Sequence, residues 1–498
     1  MAPFTLAAVT SFAAAVRLVR APRWRWWWKV TAGLLAIVAA WSVATPPNGG
    51  VDEPDHVIRA AAAARLDFAG TAVVSSLGEA TRHYDVPLAF EGPDIACWSR
   101  HPEISAACST WPVGSSGRIG VLNSYYPPAY FVLTGWPTLL TEHFFIVRIM
   151  RLLSGVLAIA FIGVGLVSVK RTWGRQAVAV TLMALTPAAL SLMGVVNPQA
   201  LEIGAAFCLW STAAAVLGAE RATRLQRWAF VGSGAILCLT RPLGSFITAV
   251  ILVCVALTIG IRPSLAALKR VEVLIVIGVG LVTTVVLASK GVTSLDAPDL
   301  ARHVTLVATL KQTLGNSLND IRDSISLTGW LDTKLPGVAN VFWVSGMAVL
   351  LLGLFVTRAY RDIVALTFIV IAFLGIETYV LYTQANSNGL NWQGRYGLPI
   401  YIGLPFIVMA RSPRIQARAL YLVIGAFAAI QWISLYWALR RWAVGTNGPL
   451  LYLFREDWIP PVPSVVILGL GAVGAWLLAS GAHSCLAEVD VAEVGVES

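Results

Sequence analysis

Residues 27–56 read WWKVTAGLLAIVAAWSVATPPNGGVDEPDH and contain the two features that decide the fold, a membrane helix and the polar segment after it. Residues 27–45 are almost entirely apolar, and an α-helix of about 20 such residues crosses a bilayer. The segment after Pro46 is polar, with Asp52 and Glu53 side by side. Charged residues make up only 12% of the chain. Two acids at the mouth of a membrane helix therefore indicate a catalytic site at the membrane surface.

The composition is that of a polytopic membrane protein. Of the 498 residues, 57% are hydrophobic, and the mean hydropathy is +0.73, far above that of soluble globular proteins. The net charge of +10 comes from basic residues spread over the loops, so it indicates orientation in a membrane and not nucleic-acid binding. The sequence has no Walker motif and no GxGxxG loop, which argues against ATP-driven transport and against a sugar-nucleotide enzyme.

Twelve apolar segments predict an all-α polytopic protein, a bundle of about 12 transmembrane helices. The fifth, sixth and tenth segments are short. In chain order they cover residues 27–45, 145–169, 177–195, 199–218, 228–239, 244–259, 271–289, 341–356, 363–382, 397–409, 417–439 and 462–479.

The basic residues predict how these spans are oriented. They precede the first span and fill the alternate loops, which places both termini in the cytoplasm. The two longest connections, residues 46–144 and 290–340, then face the outside of the plasma membrane, while the acidic tail 481–498 is cytoplasmic. We expect a single membrane domain over residues 1–498 with its working face outside. The first span lacks a convincing cleavage site, so it is not a cleaved signal peptide.

The first long connection contains two cysteines and two segments expected at the membrane surface. Cys97 and Cys108 could form a disulfide in an oxidising exterior, and two free thiols are the alternative. Pro54–Phe68 is predicted to be a helix lying along the membrane, with Asp52 or Glu53 in its cap region. Residues 125–140 are apolar but interrupted by Pro and Gly, which favours a re-entrant or interfacial segment.

Seven short motifs lie at the ends of the predicted spans or in the two long connections. They are Asp52-Glu53-x-x-His56, Tyr126-Pro127-Pro128-Ala129-Tyr130, Arg148-x-x-Arg151-x-x-Ser154, Asn197-Pro198-Gln199, Thr240-Arg241-Pro242, Gly329-Trp330-Leu331-Asp332 and Gln393-Gly394-Arg395-Tyr396. In order and placement they resemble the GT-C superfamily of membrane glycosyltransferases, and most closely a multi-pass family known only as a domain of unknown function. The resemblance implies a GT-C-like bundle, a polyprenyl-phosphate sugar donor, inverting transfer on the outer face and an acid of the first loop as general base.

Inverting transfer with a phosphate leaving group needs one carboxylate to accept the proton of the acceptor hydroxyl. Asp52 is the predicted base, because it lies nearest the membrane exit and matches the position implied by the resemblance, and Glu53 is the alternative. The competing interpretation is that both acids cap the helix starting near Pro54. No cofactor is certain. Asp52, Glu53 and His56 could instead hold a divalent metal cation, since Glu and His three residues apart share a helical face.

We expect arginines to bind the leaving lipid phosphate, because a guanidinium group donates two parallel hydrogen bonds to phosphate oxygens. Four arginines map to the external ends of spans and are the predicted donor phosphate ligands: Arg395, Arg241, Arg148 and Arg151. Snorkelling to lipid headgroups is the alternative for the last two. The candidate substrate-binding residues are His56, Tyr126, Asn197, Asp332, Gln393 and Tyr396.

The predicted function is transfer of a sugar from a polyprenyl-phosphate donor to a cell-envelope glycan or lipid acceptor. The partners are then the donor, the acceptor and membrane lipids, with no nucleic acid. A flippase or secondary transporter of lipid-linked saccharides is the rival, with Glu377 as a proton-coupling carboxylate. A polymerase that joins preassembled lipid-linked glycans is a third possibility.

Overall fold

The computed structural model describes residues 24–74, 80–112, 117–122, 126–218, 222–289, 304–356, 359–384, 392–409 and 417–488. Within these ranges the chain forms eighteen α-helices. They are α1 Arg25–Ala44, α2 Glu53–Ala64, α3 Ala129–Gly135, α4 Ile146–Trp173, α5 Arg175–Leu182, α6 Pro187–Met193, α7 Pro198–Leu217, α8 Arg224–Thr240, α9 Gly244–Ile259, α10 Ile261–Ala267, α11 Val271–Ser289, α12 Leu306–Ser326, α13 Gly337–Val356, α14 Tyr360–Gln384, α15 Leu398–Tyr401, α16 Leu404–Met409, α17 Ala417–Val444 and α18 Ser464–Ala487.

The described ranges contain eight helices long and apolar enough to cross a membrane, or nine if one bent pair counts as a single span. The eight are α1, α4, α7, α11, α13, α14, α17 and α18. The bent pair is α5 with α6. The three remaining predicted segments correspond to the shorter helices α8 and α9 and to the broken stretch α15–α16. Each of the twelve predicted apolar segments is thus helical, but the count of about 12 full spans is not reached by helix length.

Proline and glycine explain the two interrupted segments. Between α5 and α6 the helix axis turns by 80°, because Pro187 cannot continue α5 and Thr186 instead caps α6, accepting from the Ala189 N–H at 3.2 Å. Gly403 separates α15 from α16 where the chain crosses Trp210. A Cβ at this glycine would lie 2.1 Å from the indole ring, so only glycine fits.

The core is organised around α7, of which almost every residue is buried. The first and last described helices, α1 and α18, pack with their backbones in near contact. A Cβ on Gly33 of α1 would lie 2.7 Å from the carbonyl oxygen of Gly474 in α18. Such small-residue contacts are the usual way in which membrane helices approach each other closely.

The first long connection contains a small antiparallel sheet that the all-α prediction did not include. Its strands are β1 Thr71–Val74, β2 Ala80–Val86 and β3 Gly117–Leu122, in the order β1-β2-β3. The predicted helix Pro54–Phe68 is α2, which begins at Glu53 and ends at Ala64. Short 3₁₀ helices also occur here, at Leu88–Glu91, Ala106–Cys108 and Trp136–Leu139. Cys97 and Cys108 are joined in a disulfide.

The second long connection contains α12, a helix that hydropathy does not reveal. Its buried residues are mostly polar, among them Thr309, Thr313 and Asp320. The hairpin of β4 Leu327–Thr328 and β5 Thr333–Lys334 follows α12. At the C-terminus, residues 481–487 belong to α18 and not to a tail. The rest of the predicted acidic tail, from residue 489, lies outside the described residues.

Candidate functional site

The candidate site lies at the end of the bundle where the first long connection leaves α1. The starts of α4 and α7, the end of α8 and the segment before α15 meet at this same end. Hydrogen bonds connect these elements: the Asn197 side chain donates to the Val51 carbonyl at 3.0 Å, and the Arg151 guanidinium donates to the Thr45 and Pro46 carbonyls at 2.8 Å. Most of the residues selected from the sequence are therefore brought together.

Asp52 is the carboxylate that faces into the site. It precedes α2 in the left-handed conformation, with φ of +58°, and makes no side-chain hydrogen bond to the helix. Its Oδ2 instead accepts from the Arg395 Nη2 at 2.5 Å. The Asp52 side chain is 32% exposed. The capping interpretation is therefore wrong for Asp52, whose carboxylate is directed at an arginine and remains reachable.

Arg395 is held from three sides. Its Nε donates to the Gln393 Oε1 at 2.5 Å and its Nη1 to the Gln199 Oε1 at 2.8 Å, while the Gln199 amide donates back to the Arg395 carbonyl. The neighbouring Gly394 rests on the backbone of α12, where an added Cβ would lie 2.2 Å from the Asp320 carbonyl oxygen. Gln199, which was not among the predicted site residues, stands in the Asn197-Pro198-Gln199 motif.

Arg241 adds a second guanidinium to the site. It lies between α8 and α9 and forms an ion pair with Glu202 of α7 at 2.8 Å. The ring of Tyr396 lies under both cations, with its centre 4.9 Å from the Arg241 guanidinium carbon and 5.1 Å from that of Arg395. The Arg241 Nε is buried and has no hydrogen-bond partner among the described residues. Glu202 was not predicted at the site, although an acid one turn into a buried helix is a signal for it.

His56 and Tyr126 form the aromatic edge of the site. The two rings are 5.5 Å apart and meet nearly edge to face, and Tyr126 also lies under the Arg59 guanidinium at 5.1 Å. His56 is buried, and its Nδ1 has no partner within the described part of the chain. This pair supplies a ring face beside Asp52.

The electrostatic environment keeps Asp52 ionised and His56 neutral. Burial by itself raises the pKa of the Asp52 carboxyl, but the charge and hydrogen bond of Arg395, with His56 and Arg241, outweigh it and lower the pKa. Burial lowers the pKa of His56 well below its ordinary value, and the nearby Arg59, Arg395 and Arg241 add to this against the opposing charge of Asp52. At neutral pH Asp52 is thus a negatively charged carboxylate beside two arginines.

Glu53 points away from Asp52 into a buried ion pair. Its two oxygens accept from the Arg151 Nε at 2.7 Å and Nη2 at 2.6 Å, and also from the backbone N–H groups of Val196 and Gly50. Glu53 is 0% exposed. With four donors on two oxygens and no access, this carboxylate holds the start of α4 against the first connection. The alternative of Glu53 as the base is therefore not supported by its surroundings.

The three residues considered as metal ligands do not form one cluster. Glu53 turns its oxygens to Arg151 and so does not join Asp52 and His56 in a ligand set. Over the residues that the structure describes, no group of three or more His, Cys, Asp or Glu side chains is arranged to hold a metal ion.

The four predicted phosphate ligands fall into two places. Arg395 and Arg241 lie with Asp52. Arg151 is occupied by Glu53 and three backbone carbonyls, and Arg148, one turn earlier on α4, lines a cavity of about 490 Å³ together with Arg151. The single arginine cluster expected from the sequence is therefore divided.

Two further predicted residues have structural partners. Asn197 caps α7, where its Oδ1 accepts from the Gln199 N–H at 2.9 Å. Asp332 is paired with Arg441 of α17 at 2.9 Å, and both are almost fully buried. Arg441 also donates to the Trp98 carbonyl. The pair therefore connects the segment around the Cys97–Cys108 disulfide to the end of α17.

Comparisons with known proteins give a family and two distant structures. No curated protein matches the chain significantly. Two crystal structures of ArnT from Cupriavidus metallidurans are similar, one in the apo state at 15% identity and a TM-score of 0.37 and one bound to undecaprenyl phosphate at 17% identity and 0.35. Each covers 73% of this chain and 67% of ArnT. Because both TM-scores are below 0.5, these similarities carry no argument about the function of this chain.

The family assignment is stronger, because it extends over well more than half of the chain. The family model described as a predicted membrane protein (DUF2142) matches residues 35–404, which include every motif from Asp52 to Tyr396. The predicted resemblance to a multi-pass family known as a domain of unknown function is confirmed: the chain belongs to the DUF2142 family of predicted membrane proteins.

Proposed function

We propose that the protein is an inverting glycosyltransferase that moves a sugar from a polyprenyl-phosphate donor to a glycan or lipid acceptor of the cell envelope. The observation that supports this most is the surroundings of Asp52. An ionised, partly exposed carboxylate lies against Arg395, with Arg241 close by, at one end of a membrane helix bundle. A base and phosphate-binding cations at the level of a membrane surface are what this reaction requires.

In the proposed step, Asp52 accepts the proton of an acceptor hydroxyl. The acceptor oxygen forms a bond to the anomeric carbon of the donor sugar, the bond from that carbon to the phosphate oxygen breaks, and the electron pair leaves with the lipid phosphate. The sugar inverts because the nucleophile and the phosphate are on opposite faces. The departing phosphate carries the growing negative charge, and preorganised guanidinium groups stabilise it.

Arg395 and Arg241 are the proposed phosphate ligands. An arginine has five N–H donors, and three of those of Arg395 are used by Asp52, Gln393 and Gln199. Arg241 uses one on Glu202. Both therefore keep N–H donors for a phosphate, and both guanidinium carbons lie within 5.1 Å of the centre of the Tyr396 ring.

Asp52→Asn tests the base. The amide keeps the size of the side chain but accepts no proton, so turnover should fall about 100-fold or more while donor binding remains. Transfer would be followed with purified protein and a panel of radiolabelled polyprenyl phosphosugars with membrane acceptors. Asp85→Asn, an exposed acid on β2, is the matched control and should stay active. Normal transfer by Asp52→Asn would rule out the proposed base.

Arg395→Lys tests the phosphate site. Lysine keeps the charge but loses the fork that joins Asp52, Gln393 and Gln199, so the affinity for the donor should fall about 10-fold or more. Unchanged donor affinity in both Arg395→Lys and Arg395→Ala would mean that Arg241, and not Arg395, binds the donor phosphate.

The proposal places this end of the bundle outside the plasma membrane, with both termini in the cytoplasm. In intact cells a cysteine introduced at Glu91, which is exposed in the first connection, should react with a membrane-impermeant maleimide. One at Thr172, near the other end of α4, should not. The opposite labelling pattern would exclude an external site.

A flippase or secondary transporter of lipid-linked saccharides remains the second candidate, favoured by one observation. Glu377 is fully buried in α14, and its carboxyl interacts with that of Asp320 in α12. A buried carboxyl pair of this kind is suited to proton coupling. Movement of a labelled lipid-linked sugar across proteoliposomes, without transfer to any acceptor, would favour the transporter.

A further inference from the structure

A cavity of about 490 Å³ opens beside the candidate site but is separate from it. Its walls come from the end of α1, the Leu88–Glu91 turn, the segment before α4 and the first turn of that helix. Ligand sites in proteins commonly have volumes of 300 to 1,000 Å³. The two small hollows that touch Arg395 and Tyr126 measure about 20 Å³ each, room for roughly one water molecule. The larger cavity thus has the size of a ligand site that the proposed step has not used.

The cavity combines an aromatic wall with one unpaired cation. Trp111 and Phe144 meet edge to face at 5.2 Å, and Phe145 continues the apolar surface. Trp111 is 55% exposed and Phe145 48%, large apolar side chains left open to a ligand. Arg148 is the cation: within the described ranges it has no hydrogen bond and no ion pair, whereas Arg151 one turn later is neutralised by Glu53. Glu142 also lines the cavity, but its charge interacts with that of Arg65. This leaves the positive charge of Arg148 beside the rings.

The Glu53–Arg151 ion pair lies between this cavity and Asp52, the proposed base. Arg151 forms part of the cavity wall. Its partner Glu53 is the first residue of α2 and follows Asp52, whose carboxylate turns the other way to Arg395. None of Asp52, Arg241 and Arg395 is among the described residues that line the cavity. The cavity and the Asp52 carboxylate therefore lie on opposite sides of a buried ion pair.

We infer that the cavity binds the acceptor of the transfer reaction, and that this acceptor is an anionic amphiphile: an acidic head for Arg148 joined to an apolar chain or ring for Trp111 and Phe145. The identification of this ligand as the acceptor rests on the proposed function. Its binding chemistry is argued from the residues of the cavity alone. It assigns Arg148 to a second ligand and removes it from the donor phosphate site.

The test is calorimetric titration of the full-length protein in phosphatidylcholine nanodiscs with hexyl phosphate. Inorganic phosphate and hexyltrimethylammonium are the comparison ligands, since the first lacks the chain and the second carries the opposite charge. Arg148→Ala should weaken hexyl phosphate binding about 10-fold or more, as expected for a lost charged hydrogen bond. Arg148→Lys should recover part of the loss. Arg171→Ala, an exposed arginine near the far end of the same helix, should bind like the wild type.

A cavity-filling variant keeps the test independent of charge. Ala89 lines the cavity, so Ala89→Trp should abolish hexyl phosphate binding while Arg148 remains in place. Three results would overturn the inference: wild-type affinity in Arg148→Ala, wild-type affinity in Ala89→Trp, or inorganic phosphate binding as tightly as hexyl phosphate, which would mean simple ion binding. Equal affinity for hexyltrimethylammonium would also contradict it.

Asp52→Asn separates this inference from the proposed function. If both hold, the variant loses transfer but binds hexyl phosphate like the wild type, because Asp52 does not line the cavity. If Asp52→Asn keeps full transfer while the Arg148 dependence of binding persists, the proposed base fails and the cavity stands as a site for an anionic amphiphile. If transfer falls as expected but binding does not depend on Arg148, the cavity inference fails alone.

Discussion

Arg151→Met is expected to be among the most destabilising substitutions in the chain. The guanidinium is 3% exposed and donates five hydrogen bonds, two to the 0% exposed Glu53 carboxylate and three to the backbone carbonyls of Ser42, Thr45 and Pro46. Removing one partner of a buried ion pair costs about 3–5 kcal/mol, because the other charge stays buried without compensation. The N–H groups of Val196 and Gly50 still reach Glu53, so a loss near 3 kcal/mol is expected.

The measurement is a double-mutant cycle. Free energies of unfolding would be obtained by titrating the purified protein with sodium dodecyl sulfate in mixed micelles. Glu53→Gln removes the charge that Arg151→Met leaves unpaired, so the double variant should be more stable than the sum of the single losses predicts, by about 1–3 kcal/mol. Arg171→Met is the control for removing an exposed arginine from the same helix and should change stability by no more than about 0.5 kcal/mol.

Additive losses in that cycle would refute the reasoning. They would mean that Arg151 and Glu53 are not coupled, that Glu53 is available to a ligand, and that it returns as a candidate base beside Asp52. Coupling of the expected size, together with inactive Asp52→Asn, would instead divide the two adjacent acids into a structural and a catalytic residue.

Three further outcomes follow from single contacts. Gly394→Ala should reduce donor binding severely, measured by donor titration, because the new Cβ would lie 2.2 Å from the Asp320 carbonyl oxygen and displace Arg395. Burial, with the charge of Asp323, raises the pKa of Asp320 to about 6. Its proton is thus bound more tightly in the folded state, and the group should destabilise the fold above pH 6 and regain stability as the pH falls from about 6 towards 4. In thermal unfolding from pH 4 to 7, Asp320→Asn should lack this component, and an identical pH profile would contradict the assignment. Cys97→Ser should lose about 2–3 kcal/mol for a disulfide that closes a short loop, and dithiothreitol should lower the unfolding midpoint of the wild type but leave the variant unchanged.

Much of the candidate site could be located from the sequence because intramembrane polar residues stand out against an apolar background. Asp52, Arg241 and Arg395 interrupt or border apolar runs, and burying such groups is costly unless they have a function or a partner. The sequence could not show which groups pair. Asp52 and Arg395 are 343 positions apart and Arg151 and Glu53 are 98 apart, and only the packing of the helix ends decides these contacts. Gln199 was missed because an amide inside a helix resembles an ordinary core residue until its partner is known. Glu202 is a buried acid and so a signal for a site, but the sequence does not show that its partner is Arg241, 39 positions away.

By itself the sequence determined the membrane class and the twelve apolar segments, because hydropathy is a local property that depends on the cost of placing each residue in lipid. The tertiary structure alone decided that two of those segments break at Pro187 and near Gly403, and that the polar side of α12 is the buried one. It also decided that two consecutive acids serve different ends. Asp52 takes a left-handed backbone conformation and Glu53 begins a helix, so their side chains diverge, one towards Arg395 and the other towards Arg151. The two directions depend on which distant segments pack against this turn. Two adjacent acids in a sequence do not show this, because their chemistry is the same.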